Sequence, residues 1–216
     1  MQALLEAGLF GLFGFTLAIT FGMSVNRYDS NRNLIVEEAN DIGTAILRSD
    51  LYPDSIRTAF RSDFKEYLEA RIEYYEAGSD LKRFYAAKEK AAGISLKLWE
   101  RAMHMSKQPG MLIPSNQMVP ALNTMIDITT TREVNLKARI PDIIVFSLFF
   151  LAIVVTFVAG FGSRVIMRKD WIIVFGFSML TCLVIYITLD IGRPRRGLIT
   201  SAIGQEAMVE LRGMFQ

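Results

Sequence analysis

The stretch AGLFGLFGFTLAITFGMSV at residues 7–25 carries no charged side chain. A helix of that length is about 28 Å long, which is close to the thickness of the hydrocarbon core of a bilayer. Residues 143–162 and 171–189 form two further uncharged stretches of similar length. Three such stretches predict an integral membrane protein and argue against a soluble enzyme.

The composition of the segment between the first two apolar stretches is typical of a soluble domain. The chain is 51% hydrophobic with a formal net charge of +2. Residues 24–142 contain equal numbers of basic and acidic residues, as a soluble helical domain does. No basic run is long enough to suggest nucleic acid as a partner. The single cysteine, Cys182, is expected to be a small buried thiol, and His104 has no residue at metal-ligand spacing.

The pattern of apolar residues predicts helices throughout the middle segment. The first helix is expected to continue past residue 25, because Ile35, Ala39, Ile42 and Ile46 follow helical spacing, and to end at Pro53. A second helix is predicted over residues 54–77. Its apolar packing candidates are Ile56, Phe60, Phe64, Tyr67, Ile72 and Tyr75.

Two more helices and a loop complete the middle segment. Gly78 is expected to break the second helix, with Ser79 as the N-cap of a third helix that runs to about residue 107. Residues 108–115 are predicted as a loop, residues 116–139 as a fourth helix, and Pro141 as the start of the second membrane helix. The apolar candidates of the third helix are Leu81, Phe84, Tyr85, Ala92, Leu96, Trp99 and Met103.

The predicted fold is an all-α integral membrane protein. Three transmembrane helices are expected, with a helical extramembrane domain inserted between the first and the second. The predicted domains are residues 1–25, 26–142, 143–189 and 190–216. Basic residues near the membrane ends favour a cytoplasmic position for the middle domain and the C-terminal tail.

One face of the first membrane helix combines small residues with a single large one. Small side chains allow close helix packing in lipid, which is the structural interpretation of this face. The functional interpretation is a pore-lining helix in which Phe15 forms a hydrophobic constriction. Both remain open, because pore-lining helices also pack on their neighbours. The residues of this face are Gly8, Gly11, Phe15, Ala18 and Gly22.

Charged residues are confined to segments outside the three apolar stretches. Proton pumps and many ion-coupled transporters need charged groups inside the membrane, so such a transporter is disfavoured, whereas a passive pore is not. Glu37, Glu38 and Asp41 form an acidic cluster. Arg193, Arg195 and Arg196 form a basic one, which would bind lipid headgroups, pair with the acids or surround an anion pathway. No catalytic set, phosphate loop or metal-binding motif is present, so we expect neither an enzyme nor a cofactor.

Several motifs resemble a known family. The run GLFGFTL at residues 11–17, followed by VNRYD at residues 25–29, resembles the pore helix of bestrophins, which are anion channels. The motifs VEEAN at residues 36–40, LD at residues 189–190 and RPRRGLI at residues 193–199 resemble a family of bacterial bestrophin-like membrane proteins. This second resemblance covers residue 8 to the end of the chain.

The resemblance implies a homopentamer in the bacterial cytoplasmic membrane, with a central pore and a helical cytosolic region. Phe15 would then match a neck phenylalanine, with Gly11 and Ala7 one and two turns away. Gly11 and Ala7 are small where bestrophins have bulky residues, so the constriction would rest on Phe15. The arginine-rich turn at residues 193–196 replaces the acidic calcium clasp of bestrophins, so calcium gating is not implied.

Two functions follow from these observations. The first is an oligomeric, anion-conducting channel with its neck on the first helix. The second is a structural or accessory subunit of a larger membrane complex, which the small-residue face and the uncharged membrane segments also suit. In either case the expected partners are the lipid bilayer and either further copies of this chain or other membrane subunits.

Overall fold

The computed structural model describes residues 2–138, 141–162, 168–191 and 202–215. All regular secondary structure in these ranges is helical. Seven α-helices are followed by a short 3₁₀ helix, Leu211–Phe215. The α-helices are α1 (Gln2–Ser49), α2 (Asp54–Glu76), α3 (Leu81–Ser106), α4 (Leu112–Lys137), α5 (Asp142–Gly162), α6 (Arg168–Ile191) and α7 (Ala202–Glu210).

The chain divides into two compact units. The first, which we call the membrane unit, comprises residues 1–29 and 138–199. The second, which we call the helical unit, comprises residues 30–137 and 200–216. The helix α1 contributes its first part to one unit and its second part to the other.

Three helices in the described residues are long and apolar enough to cross a membrane. Their apolar stretches lie in α1, α5 and α6, which contain the three predicted segments. A small apolar core forms in the membrane unit around Phe13, Leu148, Val155 and Ile185. The prediction that Cys182 is buried is wrong, because its side chain is exposed on α6.

Hydroxyl groups in the membrane unit bond within their own helices. Thr16 donates to the carbonyl oxygen of Leu12 at 2.8 Å, and Thr20 donates to that of Thr16 at 2.7 Å. Thr156 and Thr188 make the same bond one turn back along α5 and α6. An unsatisfied hydroxyl is costly in hydrocarbon, so these bonds let threonine lie within apolar helices.

The helical unit has a continuous apolar core. Its α1 contribution is the predicted stripe of Ile35, Ala39, Ile42 and Ile46, each at most 3% exposed, so the extension of α1 beyond residue 25 is confirmed. The predicted span of α2 is also confirmed to within one residue. Among its candidates, Phe60, Phe64, Tyr67 and Ile72 are buried, whereas Ile56 and Tyr75 are partly buried against the same core.

The packing face of α3 differs in part from the predicted one, since Phe84 is buried and Trp99 packs against the core as predicted. Leu81, Tyr85, Leu96 and Met103 are exposed, and Ala92 with them. The helix carries apolar residues on two faces, and the one rich in alanine is buried because small side chains allow α2 and α4 to approach closely. The buried face consists of Phe84, Ala87, Ala91, Ile94, Leu98 and Ala102.

The ends of two helices also differ from the predictions. Asp80, not Ser79, is the N-cap of α3, and its Oδ1 accepts hydrogen bonds from the backbone amides of Lys82 and Arg83. The preceding Gly78 adopts φ +48°, a left-handed conformation that glycine tolerates. The helix α4 begins at Leu112, inside the predicted loop, because a proline such as Pro114 is tolerated in a first helical turn.

The C-terminal segment docks on the helical unit. Met208 is fully buried in the core, and Leu211 and Met214 lie over Gly43 of α1. Arg212 forms a two-bond ion pair with Glu69, with N···O distances of 2.8 and 2.6 Å. These hydrogen bonds from Arg212 hold the pKa of Glu69 below its usual value, so the pair is charged at neutral pH.

Replacing Gly43 should release this C-terminal segment. A Cβ at this position would lie 3.2 Å from Leu211 Cδ2, so the larger side chain of Gly43→Leu must displace Leu211 and Met214. We expect trypsin to cleave after Arg212 several-fold faster in this variant, as measured by mass spectrometry. Gly93→Leu is the matched control, because no atom lies within 4 Å of its Cβ position. Equal cleavage rates in both variants would contradict the docked arrangement.

Candidate functional site

The predicted pore face of α1 is exposed in the membrane unit. Phe15 is 65% exposed, although it is a large apolar side chain. On the other side of the helix, Phe13, Thr20 and Ser24 are buried and Leu17 is partly buried. The two faces of α1 are therefore distinct, and the described parts of α5 and α6 cover only one of them. All six predicted pore-face residues are exposed, as are the neighbouring Leu12 and Ile19; the six are Ala7, Gly8, Gly11, Phe15, Ala18 and Gly22.

The glycines of this face have no neighbour in the described part of the chain. A Cβ placed at Gly8, Gly11 or Gly22 would meet nothing within 4 Å. Packing among the described residues therefore does not require glycine at these positions. In a membrane, such a face either lets another helix approach closely or widens a path along the helix.

A second cluster lies in the helical unit around Glu38, which is fully buried. Its Oε1 accepts a hydrogen bond from Arg71 Nε at 2.5 Å, and its Oε2 accepts one from Arg132 Nη1 at 2.7 Å. Tyr75 Oη also donates to Oε2, at 2.6 Å. Because these residues belong to α1, α2 and α4, one carboxylate joins three helices.

Aromatic rings complete the surroundings of the two arginines. The Arg71 guanidinium lies 4.4 Å from the centre of the Tyr74 ring, and that of Arg132 lies 4.6 Å from the Tyr75 ring. Such contacts stabilise a desolvated cation through the negative face of the ring. We call Glu38, Arg71, Tyr75 and Arg132 the Glu38 cluster.

Burial lowers the pKa of both arginines, but the direction of the net shift differs between them. For Arg71, the charge and hydrogen bond of Glu38, together with Tyr67 and Tyr74, outweigh the effect of burial, so its pKa lies above the usual value. Burial lowers the pKa of Arg132, and the neighbouring Arg71 charge adds to that effect. Both guanidinium groups stay charged at physiological pH, since arginine titrates far above it. The cluster therefore holds two positive charges against the one acidic side chain that both contact.

The other predicted polar residues do not join this cluster through direct bonds. Glu37 is exposed and Asp41 is partly exposed on α1. Arg193, Arg195 and Arg196 lie outside the described residues. The partners of Glu38 are Arg71 and Arg132, and neither belongs to the predicted polar clusters. Within the described ranges, no group of three or more His, Cys, Asp or Glu side chains could hold a metal ion.

A comparison with protein families gives one match. The family model described as "Bestrophin-like domain" matches residues 7–200, which is most of the chain. This match confirms the resemblance found in the motifs. Neither the curated proteins nor the solved structures contain a match to this chain.

Removing the carboxylate of the Glu38 cluster should destabilise the protein. In Glu38→Ala both arginines stay buried without their shared acceptor, and breaking a buried pair in this way costs about 3–5 kcal/mol. For a chain of this size that corresponds to a fall of about 10 °C in the unfolding midpoint. The measurement is circular dichroism of the detergent-solubilised protein during heating.

The neighbouring acid provides the control for this prediction. Glu37 is exposed, so Glu37→Ala should leave the unfolding midpoint nearly unchanged. A midpoint for Glu38→Ala equal to that of Glu37→Ala would show that the buried cluster contributes little to stability.

Proposed function

The chain belongs to the bestrophin-like family, and we propose that it forms a homo-oligomeric, anion-conducting channel in the bacterial cytoplasmic membrane. In this proposal the first part of α1 surrounds a central axis, and Phe15 forms the narrowest point. Residues 26–142 form a helical domain inserted between the first and second membrane helices. That domain and the C-terminal tail lie in the cytoplasm.

The exposed face of α1 is the observation that carries the proposal. Among the six predicted pore-face residues, Phe15 is the single bulky side chain, and the other five are glycine or alanine. In a ring of copies, these small residues leave space along the axis, and one phenylalanine per copy closes it. A ring of apolar side chains gates by excluding water, so an ion crosses only when the ring widens.

The electrostatics of the face are compatible with anions. Residues 7–25 contain no acidic side chain, so this segment offers no carboxylate ring of the kind that selects cations. The membrane stretches also lack the buried charged groups that proton-coupled transport uses. Passive conduction through an apolar neck needs neither.

Shortening the neck residue should increase conduction. We expect Phe15→Ala to raise the unitary chloride current several-fold in planar bilayers, because it removes the largest apolar side chain from the neck. Phe10→Ala is the matched control, since Phe10 lies on another side of α1 with its ring 5.6 Å from that of Phe177. A reconstituted oligomer without current, or equal currents in both variants, would overturn the channel proposal.

An accessory subunit of a larger complex is the second candidate function. The exposed small-residue face of α1 favours it as well, because this face would equally suit close packing against a helix of another protein. The two functions differ in what lies next to α1, namely further copies of this chain or a different subunit.

Cysteine cross-linking in native membranes separates these two functions. The reporter is Gly11→Cys in a Cys182→Ser background, treated with a bifunctional maleimide. We expect covalent multimers of this chain, because the channel brings the α1 faces of several copies together. Leu17→Cys is the control, since Leu17 is partly buried against the core of the membrane unit. Cross-links from Gly11→Cys to a different protein alone would favour the accessory subunit.

A further inference from the structure

A groove opens on the membrane unit between α5 and α6, with Phe13 of α1 at its floor. Its volume is about 500 Å³. The floor is formed by buried side chains, among them Phe13, Val155 and Ile185. The rim carries exposed phenylalanines, of which Phe157 is 70% exposed. The groove is thus a recess with an apolar floor and an apolar rim.

The chemistry of the groove disfavours a charged ligand. None of its lining residues carries a charge. The Thr156 hydroxyl donates to the carbonyl oxygen of Ala152 at 2.8 Å, so its hydrogen is already bonded within α5. Sites for polar ligands place several polar groups around the ligand to orient it, and this recess lacks charged groups for that purpose. Apart from the hydroxyl groups of Thr156, Ser178 and Thr181 and the Cys182 thiol, the lining is apolar, so we expect its occupant to bind mainly through apolar contact.

The length of the groove distinguishes between two apolar occupants, namely a membrane helix and a lipid acyl chain. Its lining runs from Phe149 to Phe157 on α5 and from Phe177 to Ile185 on α6. Each of these distances is about 12 Å along the helix axis, at 1.5 Å per residue. A membrane helix of another copy spans the whole hydrocarbon core of about 30 Å, so the groove would accommodate less than half of its length. A length of about 12 Å fits within one leaflet.

We propose that this groove binds one acyl chain of a bilayer phospholipid. The helices α5 and α6 are apolar enough to cross the membrane, and in this proposal the open side of the groove faces hydrocarbon. Small side chains at Ser178 and Thr181 keep the recess open, whereas larger ones would fill it. Phe13 lies on the side of α1 away from Phe15, so the bound chain packs behind the proposed neck. The binding itself does not depend on conduction.

Counting bound lipid tests the proposal. The protein is purified in mild detergent, and retained phospholipid per chain is measured by native mass spectrometry and phosphorus analysis. We expect about one phospholipid per chain in the unaltered protein and a loss of at least half in Ser178→Phe and Thr181→Phe. Leu180→Phe is the control on the same helix, because Leu180 is exposed and lies outside the groove. It should retain the lipid.

Three results would overturn the proposal. The first is the absence of lipid from the unaltered protein, and the second is equal retention in the groove variants and in Leu180→Phe. The third is a groove variant that changes the oligomeric state but retains the lipid, which would make the groove an interface between copies. None of these measurements uses ion currents. The lipid proposal can therefore be overturned while the channel proposal stands, and the reverse is also true.

The single cysteine provides a second test that needs no groove variant. Cys182 lies in the groove wall and its side chain is exposed. We expect maleimide to modify it several-fold more slowly when phospholipid is restored than after delipidation. Leu183→Cys in a Cys182→Ser background reports on a position outside the groove and should show no such protection. Equal protection at both positions would overturn the proposal.

Discussion

The carboxylate of Glu38 is the contact on which the arrangement of the helical unit depends. It accepts hydrogen bonds from Arg71 of α2, Tyr75 of α2 and Arg132 of α4, and it is itself part of α1. A buried charge is tolerated only when it is paired and hydrogen-bonded, so the carboxylate and the two guanidinium groups must meet in one geometry. Apolar contacts alone permit several rotations of neighbouring helices. The Glu38 cluster permits only those in which all three charges meet.

The sequence predicted where the helices of this unit lie far better than it predicted which faces and side chains contact each other. The spacing of Ile35, Ala39, Ile42 and Ile46 predicted the buried stripe of α1, because periodicity depends only on local geometry. The packing face of α3 was predicted only in part, since two of its faces are apolar and only the neighbouring helices decide which one is buried. The ion pairs left a usable signal: Glu38, Arg71 and Arg132 each interrupt an apolar stripe at helical spacing.

For the candidate neck, too, the sequence predicted the arrangement within one helix but not the surface that lies opposite it. Residue types and spacing placed Phe15 and the small residues on one face of α1, and the structure shows that this face is exposed. What lies opposite the face depends on other molecules, which no pattern within one chain encodes. The groove could not be predicted either, because it arises from the separation of α5 and α6, and their sequences read as uniformly apolar helices.

Two of the uncovered surfaces of the membrane unit, the small-residue face of α1 and the groove, have different physical requirements. The face of α1 carries glycines whose Cβ positions meet nothing in the described part of the chain, and it lies on a helix that runs through the full apolar stretch. A surface of that length suits another helix or an axial path. The groove is about 12 Å long, recessed and uncharged, so it suits a flexible chain from one leaflet. Because Phe13 belongs to the same helix as Phe15, an acyl chain in the groove would contact the helix that carries the neck. If the proposed channel forms, the lipid bound in the groove would therefore pack against the helix that carries Phe15.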